Sequence, residues 1–135
     1  MKEYLTDLAE SLLASYGFDR DHFDLQIKMD HEMMDIDKAL PIGLIINEMI
    51  TNSLKYAYQD IQYPSLLISL TEDIHYLTFV IRDNGIGINE EHWKQKSNSF
   101  GKQLIGALCK QMRAKQSLVV NRGTEFTITI PRQVV

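Results

Sequence analysis

A carboxylate, an amide and an amine are spaced for one face of a helix. Glu48, Asn52 and Lys55 stand at positions i, i+4 and i+7 of a segment whose other residues are almost all apolar. Polar groups on an otherwise buried helix cost free energy unless they are paired, which favours a site that binds a ligand. A polar face turned to solvent is the ordinary alternative, and this segment alone leaves both interpretations open.

A second segment, D-N-G-I-G over residues 83–87, follows a predicted strand. Asn-Gly after a strand is typical of a hairpin turn, but the next dozen residues are polar and offer no partner strand. Gly85 and Gly87 permit a close approach of the backbone to a flat ligand or a phosphate. Asp83 at the end of the strand can accept a hydrogen bond from an exocyclic amine.

A third segment, S-F-G-K over residues 99–102, directly precedes a predicted helix. Gly101 at the start of a helix exposes free N–H groups that suit a phosphate, and Lys102 adds a positive charge. The spacing is not that of a P-loop, because no glycine stands five residues before Gly101. Gly123-Thr124, in the last predicted hairpin, is by itself typical of an ordinary turn.

The elements that must position these residues alternate between helix and strand. Pro41 is expected in the first turn of the central helix, which should continue to about Tyr58, and Gly17 should end the first helix. The order predicts a two-layer α+β sandwich with a mixed, mostly antiparallel sheet of about five strands and three main helices on one face. The expected helices are 2–16, 41–58 and 101–113, and the expected strands are 22–29, 66–70, 76–82, 117–120 and 125–130.

Composition limits the classes of function. The chain of 135 residues, 44% hydrophobic and 24% charged, is expected to form one domain. A formal charge of −4 argues against a nucleic-acid partner. No apolar run approaches the roughly 18–20 residues that span a bilayer. The single Cys109 fits a reducing cytoplasm and is predicted to be a buried thiol rather than a nucleophile.

Taken in order, four motifs resemble the N, G1, G2 and final glycine boxes of the GHKL ATPase superfamily. They are E-x-x-x-N-x-x-K-Y-A, D-N-G-I-G-I, S-F-G before a helix, and G-T-E-F-T-I-T-I-P. The resemblance covers about residues 20–131 and is strongest to the catalytic, ATP-binding domain of sensor histidine kinases. It implies the Bergerat fold and Mg-ATP as the bound nucleotide.

The resemblance also implies roles for residues on the central helix. Asn52 would hold Mg²⁺ through its side-chain oxygen, and Glu48 would act as a general base or order a metal-bound water. Lys55 would contact the phosphates, and Tyr56 would pack against the nucleotide.

For the other boxes, the resemblance implies that Asp83 accepts from the adenine amino group, which selects ATP over GTP. Gly85 and Gly87 would form the pocket floor and the hinge of a lid at residues 88–99. Gly101 and Lys102 would bind phosphate. Thr124 would support Asp83, with a bridging water as one option.

Two features depart from the family pattern or stay open. The second glycine box is commonly G-x-G-L, whereas S-F-G-K has one glycine, with Lys102 as the candidate compensation. Trp93 is either an aromatic that closes over the site or an ordinary surface or core residue. Alternatives to a histidine kinase are an anti-sigma-type serine kinase, another GHKL ATPase, or a degenerate module that binds nucleotide without catalysis.

The resemblance finally implies a larger protein. Residues 1–18 would end a linker helix from a dimerisation and phosphoacceptor segment, and residues 19–135 would be the catalytic domain. The expected partners are the phosphoacceptor histidine domain of the same homodimeric kinase and a response regulator downstream. The isolated domain would be a cytoplasmic monomer without membrane contact, and attachment of the full-length protein to a membrane sensor stays open. The four histidines are predicted to be structural or surface residues: His22, His31, His75 and His92.

Overall fold

Five strands form one mixed sheet in a computed structural model that describes residues 2–29, 36–86, 100–120 and 122–132. The strand order is β1-β2-β3-β5-β4, in which β1 and β2 are parallel and all other neighbours are antiparallel. The elements, with a 3-10 turn at Arg20–His22, are α1 (Lys2–Ser15), β1 (Asp24–Met29), α2 (Ile36–Tyr56), β2 (Ser65–Glu72), β3 (Tyr76–Asp83), α3 (Phe100–Gln111), β4 (Lys115–Val120) and β5 (Thr124–Pro131).

Alternation along the strands determines which face of the sheet is buried. In β2, β3 and β5 every second residue is buried and its neighbours are half-buried or exposed. The three described helices add their apolar residues to the same core, including Leu5 from α1, Ile45 from α2 and Ile105 from α3. The predicted two-layer α+β sandwich, with helices on one face of a mostly antiparallel sheet, is confirmed.

Two turns are fixed by hydrogen bonds to or between backbone groups. Gly17 has a φ of 79° and ends α1 in a Schellman motif, with the Phe18 N–H donating to the Leu13 carbonyl at 2.9 Å. Between β2 and β3, the Asp73 carboxylate accepts from the N–H groups of His75 and Tyr76 at 2.8 and 2.7 Å. The Asp73 side chain thus accepts hydrogen bonds from two backbone N–H groups of the turn.

The start of α2 differs from the prediction. The helix begins at Ile36, so Pro41 lies inside it rather than in its first turn. A proline there removes one backbone hydrogen bond, but Pro41 and Ile42 are both buried, and the helix continues for fifteen residues beyond Pro41. Burial of the apolar face outweighs the lost hydrogen bond. The other predicted boundaries agree with the observed ones within a few residues.

Candidate functional site

The Asp83 carboxylate is the centre of the site. It lies at the end of β3 on the face that carries the core and is only 5% exposed. Its Oδ1 accepts from the N–H groups of Gly85 at 2.9 Å and Thr124 at 3.1 Å, and its Oδ2 accepts from the Ser53 hydroxyl at 3.3 Å. Groups from α2, β5 and the segment after β3 therefore fix one buried carboxylate.

Burial raises the pKa of Asp83, and the hydrogen bonds from Gly85, Thr124 and Ser53 act in the opposite direction. Burial also raises the pKa of the neighbouring Tyr58, with a smaller contribution from the Asp83 charge. Tyr58 is held by its own hydroxyl, which donates to the Ser65 carbonyl at 2.7 Å. The buried Asp83 carboxylate can accept a further hydrogen bond from a ligand, because its oxygens have acceptor positions that the described residues do not fill.

Gly85 brings the segment after β3 against the end of α2. The Ile86 N–H donates to the Ala57 carbonyl at 2.8 Å, and a Cβ on Gly85 would lie 2.2 Å from that carbonyl oxygen. A glycine is required here because of the close approach to the Ala57 backbone, and its place at the floor of the nucleotide pocket stays a prediction. Gly87, the other predicted glycine of this box, lies outside the described residues.

The turn between β4 and β5 meets Asp83 from the other side. Gly123 has a φ of 133°, and a Cβ on it would lie 2.2 Å from the Asp83 carbonyl oxygen. Thr124 is 3% exposed and contacts the Asp83 carboxylate directly through its backbone N–H. The bridging water that was one option for this contact is not needed.

On α2, the predicted polar residues differ in exposure. Glu48 and Asn52 are half-buried, Lys55 is exposed, and Tyr56 is 50% exposed. In one uninterrupted helix their spacing keeps Glu48, Asn52 and Lys55 on a common face. Ser53, the α2 residue that donates to Asp83, directly follows Asn52 in the sequence.

Gly101 and Lys102 lie in the first turn of α3, which begins at Phe100. Their predicted position at a helix N-terminus is confirmed, and the side chain of Lys102 is half-buried. The predicted lid at 88–99, with Trp93, lies outside the described residues, as do His31 and His92. His22 and His75 are exposed, and Cys109 is buried as predicted.

Two residues that sequence reasoning missed help to build the site. Ser53 donates to Asp83, and Asn84 joins the loop after α2 to the end of β3. The Asn84 amide donates to the Tyr63 carbonyl at 2.7 Å, and its oxygen accepts from the Ser65 N–H at 2.8 Å. Asn84 belongs to the D-N-G motif, but only the three-dimensional structure reveals its partners.

The donor chemistry of α2 fits a magnesium ion that is held partly by phosphate. Among the described residues, no group of three or more His, Cys, Asp or Glu side chains could hold a metal. Magnesium commonly uses one or two protein oxygens together with substrate phosphates and water. The Asn52 amide oxygen and the Glu48 carboxylate supply hard oxygen donors on one helix face.

Comparison with known proteins agrees with this geometry. The family model of histidine kinase-, DNA gyrase B- and HSP90-like ATPases matches residues 37–134. The chain is 28% identical to the sensor histidine kinase YdfH of Bacillus subtilis over 98% of its own length and 31% of that protein. It is 24% identical to the sensor histidine kinase PdtaS of Mycobacterium tuberculosis over 76% of its own length and 21% of that protein. The chain thus spans less than a third of either relative.

Solved structures share the fold. The histidine kinase domain of a blue-light activated histidine kinase from Erythrobacter litoralis superposes with a TM-score of 0.82 at 23% identity, covering 96% of this chain and 60% of that one. The catalytic domain of histidine kinase ThkA gives a TM-score of 0.68 at 15% identity, covering 94% and 91%. Within the described residues, no helix is long and apolar enough to cross a membrane. On the strength of the family match and the four ordered motifs, the chain belongs to the histidine kinase-, DNA gyrase B- and HSP90-like (GHKL) ATPases.

Proposed function

We propose that this chain is the ATP-binding catalytic domain of a sensor histidine kinase. It transfers the γ-phosphoryl group of Mg-ATP to a histidine that lies outside this sequence. The observation that carries the proposal is the Asp83 carboxylate, buried at the end of β3 and fixed by donors from α2, β5 and the segment after β3.

Asp83 recognises the adenine base. Its Oδ2 accepts from the exocyclic amino group of ATP. GTP presents a carbonyl at the same place, and two acceptors cannot form a hydrogen bond. The Gly85 backbone, which packs against the Ala57 carbonyl, forms the floor of this part of the pocket. Gly87 contributes to nucleotide binding, and Tyr56 packs against the nucleotide.

The phosphates lie along α2 and the start of α3. Asn52 holds the magnesium ion, Glu48 acts as the general base or orders a water, and Lys55 neutralises phosphate charge. Gly101 and Lys102 bind phosphate at the start of α3. When bound, magnesium neutralises the phosphate oxygens. Positioning and charge neutralisation by these residues supply most of the catalysis.

The acceptor and the later steps belong to a longer protein. Residues 1–18 end a linker helix from the phosphoacceptor segment, and residues 19–135 form the catalytic domain. The packing of Leu5, Ala9 and Leu13 of α1 in the common core is compatible with a helix that enters the domain from such a segment. The full-length protein is a homodimer that passes the phosphoryl group to a response regulator, and the isolated domain is a cytoplasmic monomer.

Titration with ATP, with and without Mg²⁺, tests the phosphate end of the proposal. We expect the wild-type chain to bind ATP more tightly with Mg²⁺, and Asn52→Ala to lose most of that gain because the amide oxygen is removed. Asn47→Ala is the matched control: Asn47 is also half-buried on α2, but it does not share the face of Asn52. The proposal fails if the wild type does not bind millimolar nucleotide, or if both alanine variants keep the full Mg²⁺ effect.

A further inference from the structure

Three polar side chains of the described residues are buried, and all three meet at one point. They are Ser53, Asp83 and Thr124, each 5% exposed or less. Asp83 and Thr124 are accounted for by the proposed nucleotide site, but Ser53 has no role in it. A buried hydroxyl on a helix whose other buried residues are apolar requires a physical reason, because burying a polar group without a partner is costly.

The partner of Ser53 is the oxygen of Asp83 that the backbone leaves available. Oδ1 already accepts two N–H groups, from Gly85 and Thr124, whereas Oδ2 accepts only the Ser53 hydroxyl from the described residues. An ionised carboxylate has about two acceptor positions on each oxygen. Oδ2 therefore keeps one position for a donor of the ligand, next to the hydroxyl of Ser53.

The hydroxyl also limits how the carboxylate can move. Two N–H groups hold Oδ1, and the Ser53 hydroxyl holds Oδ2 from the opposite element, α2, so rotation of the carboxylate is opposed at both ends. Fixing an acceptor before the ligand arrives reduces the ordering cost of binding. Donation by Ser53 also favours the ionised form of Asp83, which is the form that accepts from an amine.

We propose that Ser53 is a specificity-determining residue, whose hydroxyl fixes Oδ2 of Asp83 as the acceptor for the adenine amino group. This inference rests on the proposed function, because it deepens the role of Asp83 in the same site. Ser53 acts through Asp83 and is a positioning residue for recognition of the base. It should control the preference for the amino group and leave binding of the triphosphate unchanged.

The test compares ATP with purine riboside triphosphate, which differs by the absence of the 6-amino group. Both nucleotides are titrated calorimetrically into the wild type, Ser53→Ala and Ser53→Thr. We expect the wild type to prefer ATP by about tenfold or more, as hydrogen bonds to charged groups commonly provide. Ser53→Ala should bind ATP about three- to tenfold more weakly and the analogue within about twofold of wild type. Ser53→Thr, which retains the hydroxyl, should keep the preference.

A matched control removes a hydroxyl from the same helix. Thr51 is half-buried on α2 and points away from the face of Ser53, so Thr51→Ala should keep the wild-type preference. An unchanged preference in Ser53→Ala overturns the inference, and so does an equal loss of both nucleotides. Those results leave the proposed function intact as long as the wild type binds ATP. Absence of ATP binding by the wild type contradicts the proposed function and the inference together.

Discussion

Asp83 illustrates how one residue can be expensive for the fold and useful for the site. Its carboxylate is buried, and desolvation raises its pKa despite three hydrogen bonds. A structural carboxylate would be served better by a positively charged partner, whereas the three groups that donate to Asp83 are neutral. A raised pKa at a site with an available acceptor position is typical of a functional group.

The raised pKa of Asp83 predicts a loss of ATP affinity in mild acid. Protonation removes the acceptor, so affinity for ATP should fall as the pH descends through a value above that of an ordinary aspartate. Affinity for purine riboside triphosphate should fall less, because it lacks the amino group but shares the titrating phosphates. Calorimetric dissociation constants for both nucleotides across pH measure the difference. Parallel losses would contradict this role for Asp83.

The free energy of unfolding should not fall in the pH range where ATP affinity falls. Because the folded-state pKa of Asp83 is raised, its ionisation disfavours the fold at higher pH, and protonation relieves that cost. Hydrogen bonds from backbone N–H groups lower the pKa of Asp73 and Asp19. The stability that these two carboxylates contribute is present above the ordinary aspartate pKa and is lost as the pH falls through their lower folded-state values. Thermal unfolding across pH should therefore show an intact fold where ATP preference has already been lost.

At the residue scale, the sequence predicted Asp83 and one of its supports but not the others. Asp83 and Thr124 were predicted because each belongs to a motif with a defined order. Ser53 was missed because it lies on a different face from Asn52, where a small residue looks like ordinary core packing. Its partner is thirty residues away in sequence, and only the fold brings the two together.

At the scale of elements, the end of α2 and the end of β3 are joined by close backbone contact. The Ile86 N–H bonds to the Ala57 carbonyl, and Gly85 leaves no room for a side chain against it. The same helix carries Asn52 and Ser53, so this contact fixes the metal-binding and base-binding parts of the proposed site relative to each other.

Gly85→Ala should therefore reduce both stability and affinity for ATP. A Cβ at 2.2 Å from a backbone oxygen forces the two segments apart, which typically costs about 1–3 kcal/mol. It should also disturb the N–H group that Gly85 donates to Asp83. Urea unfolding and ATP titration measure the two effects.

Gly106→Ala is the matched control for this substitution. Gly106 lies inside α3, and an added Cβ there meets nothing within 4 Å. The substitution should stabilise the domain by about 0.5–1 kcal/mol and leave affinity for ATP unchanged. If Gly85→Ala unfolds at the same urea concentration as wild type, the result contradicts the close contact between Gly85 and the Ala57 carbonyl.

Element types were predictable because each strand and helix has a strong periodic pattern. β2 and β3 alternate over most of their length, and Gly17 ends α1 where the pattern stops. The start of α2 was not predictable from Pro41. A proline commonly occupies the first turn of a helix, but Pro41 lies inside α2. The helix extends over residues 36–40 before the proline, which therefore does not mark its start.

At the scale of the whole molecule, the chain corresponds to less than a third of the length of the sensor histidine kinases YdfH and PdtaS. The proposed reaction places its histidine acceptor outside this sequence. Of the described histidines, His22 and His75 are exposed; the His22 ring bonds to Asp19 and the His75 N–H donates to Asp73, rather than to Asp83.

The chain alone should thus bind ATP without labelling itself. With ATP labelled at the γ-phosphate, we expect label only after the phosphoacceptor segment of the full-length protein is added. The label should be lost in acid and retained in base, because phosphohistidine is acid-labile. Label that survives acid would instead support the serine kinase alternative, and label on the isolated chain would contradict an acceptor outside it.

Recognition of adenine by Asp83 is the central claim, and calorimetric titration of Mg-ATP into Asp83→Asn tests it most directly. The asparagine oxygen would remain with the N–H groups of Gly85 and Thr124, so its amide would face the adenine amino group donor to donor. Asp73→Asn is the matched control, because Asp73 also accepts two backbone N–H groups but lies in an exposed turn. We predict that Asp83→Asn weakens ATP binding at least about tenfold, whereas Asp73→Asn stays within about twofold of wild type. Equal ATP affinity in Asp83→Asn and wild type would contradict the account.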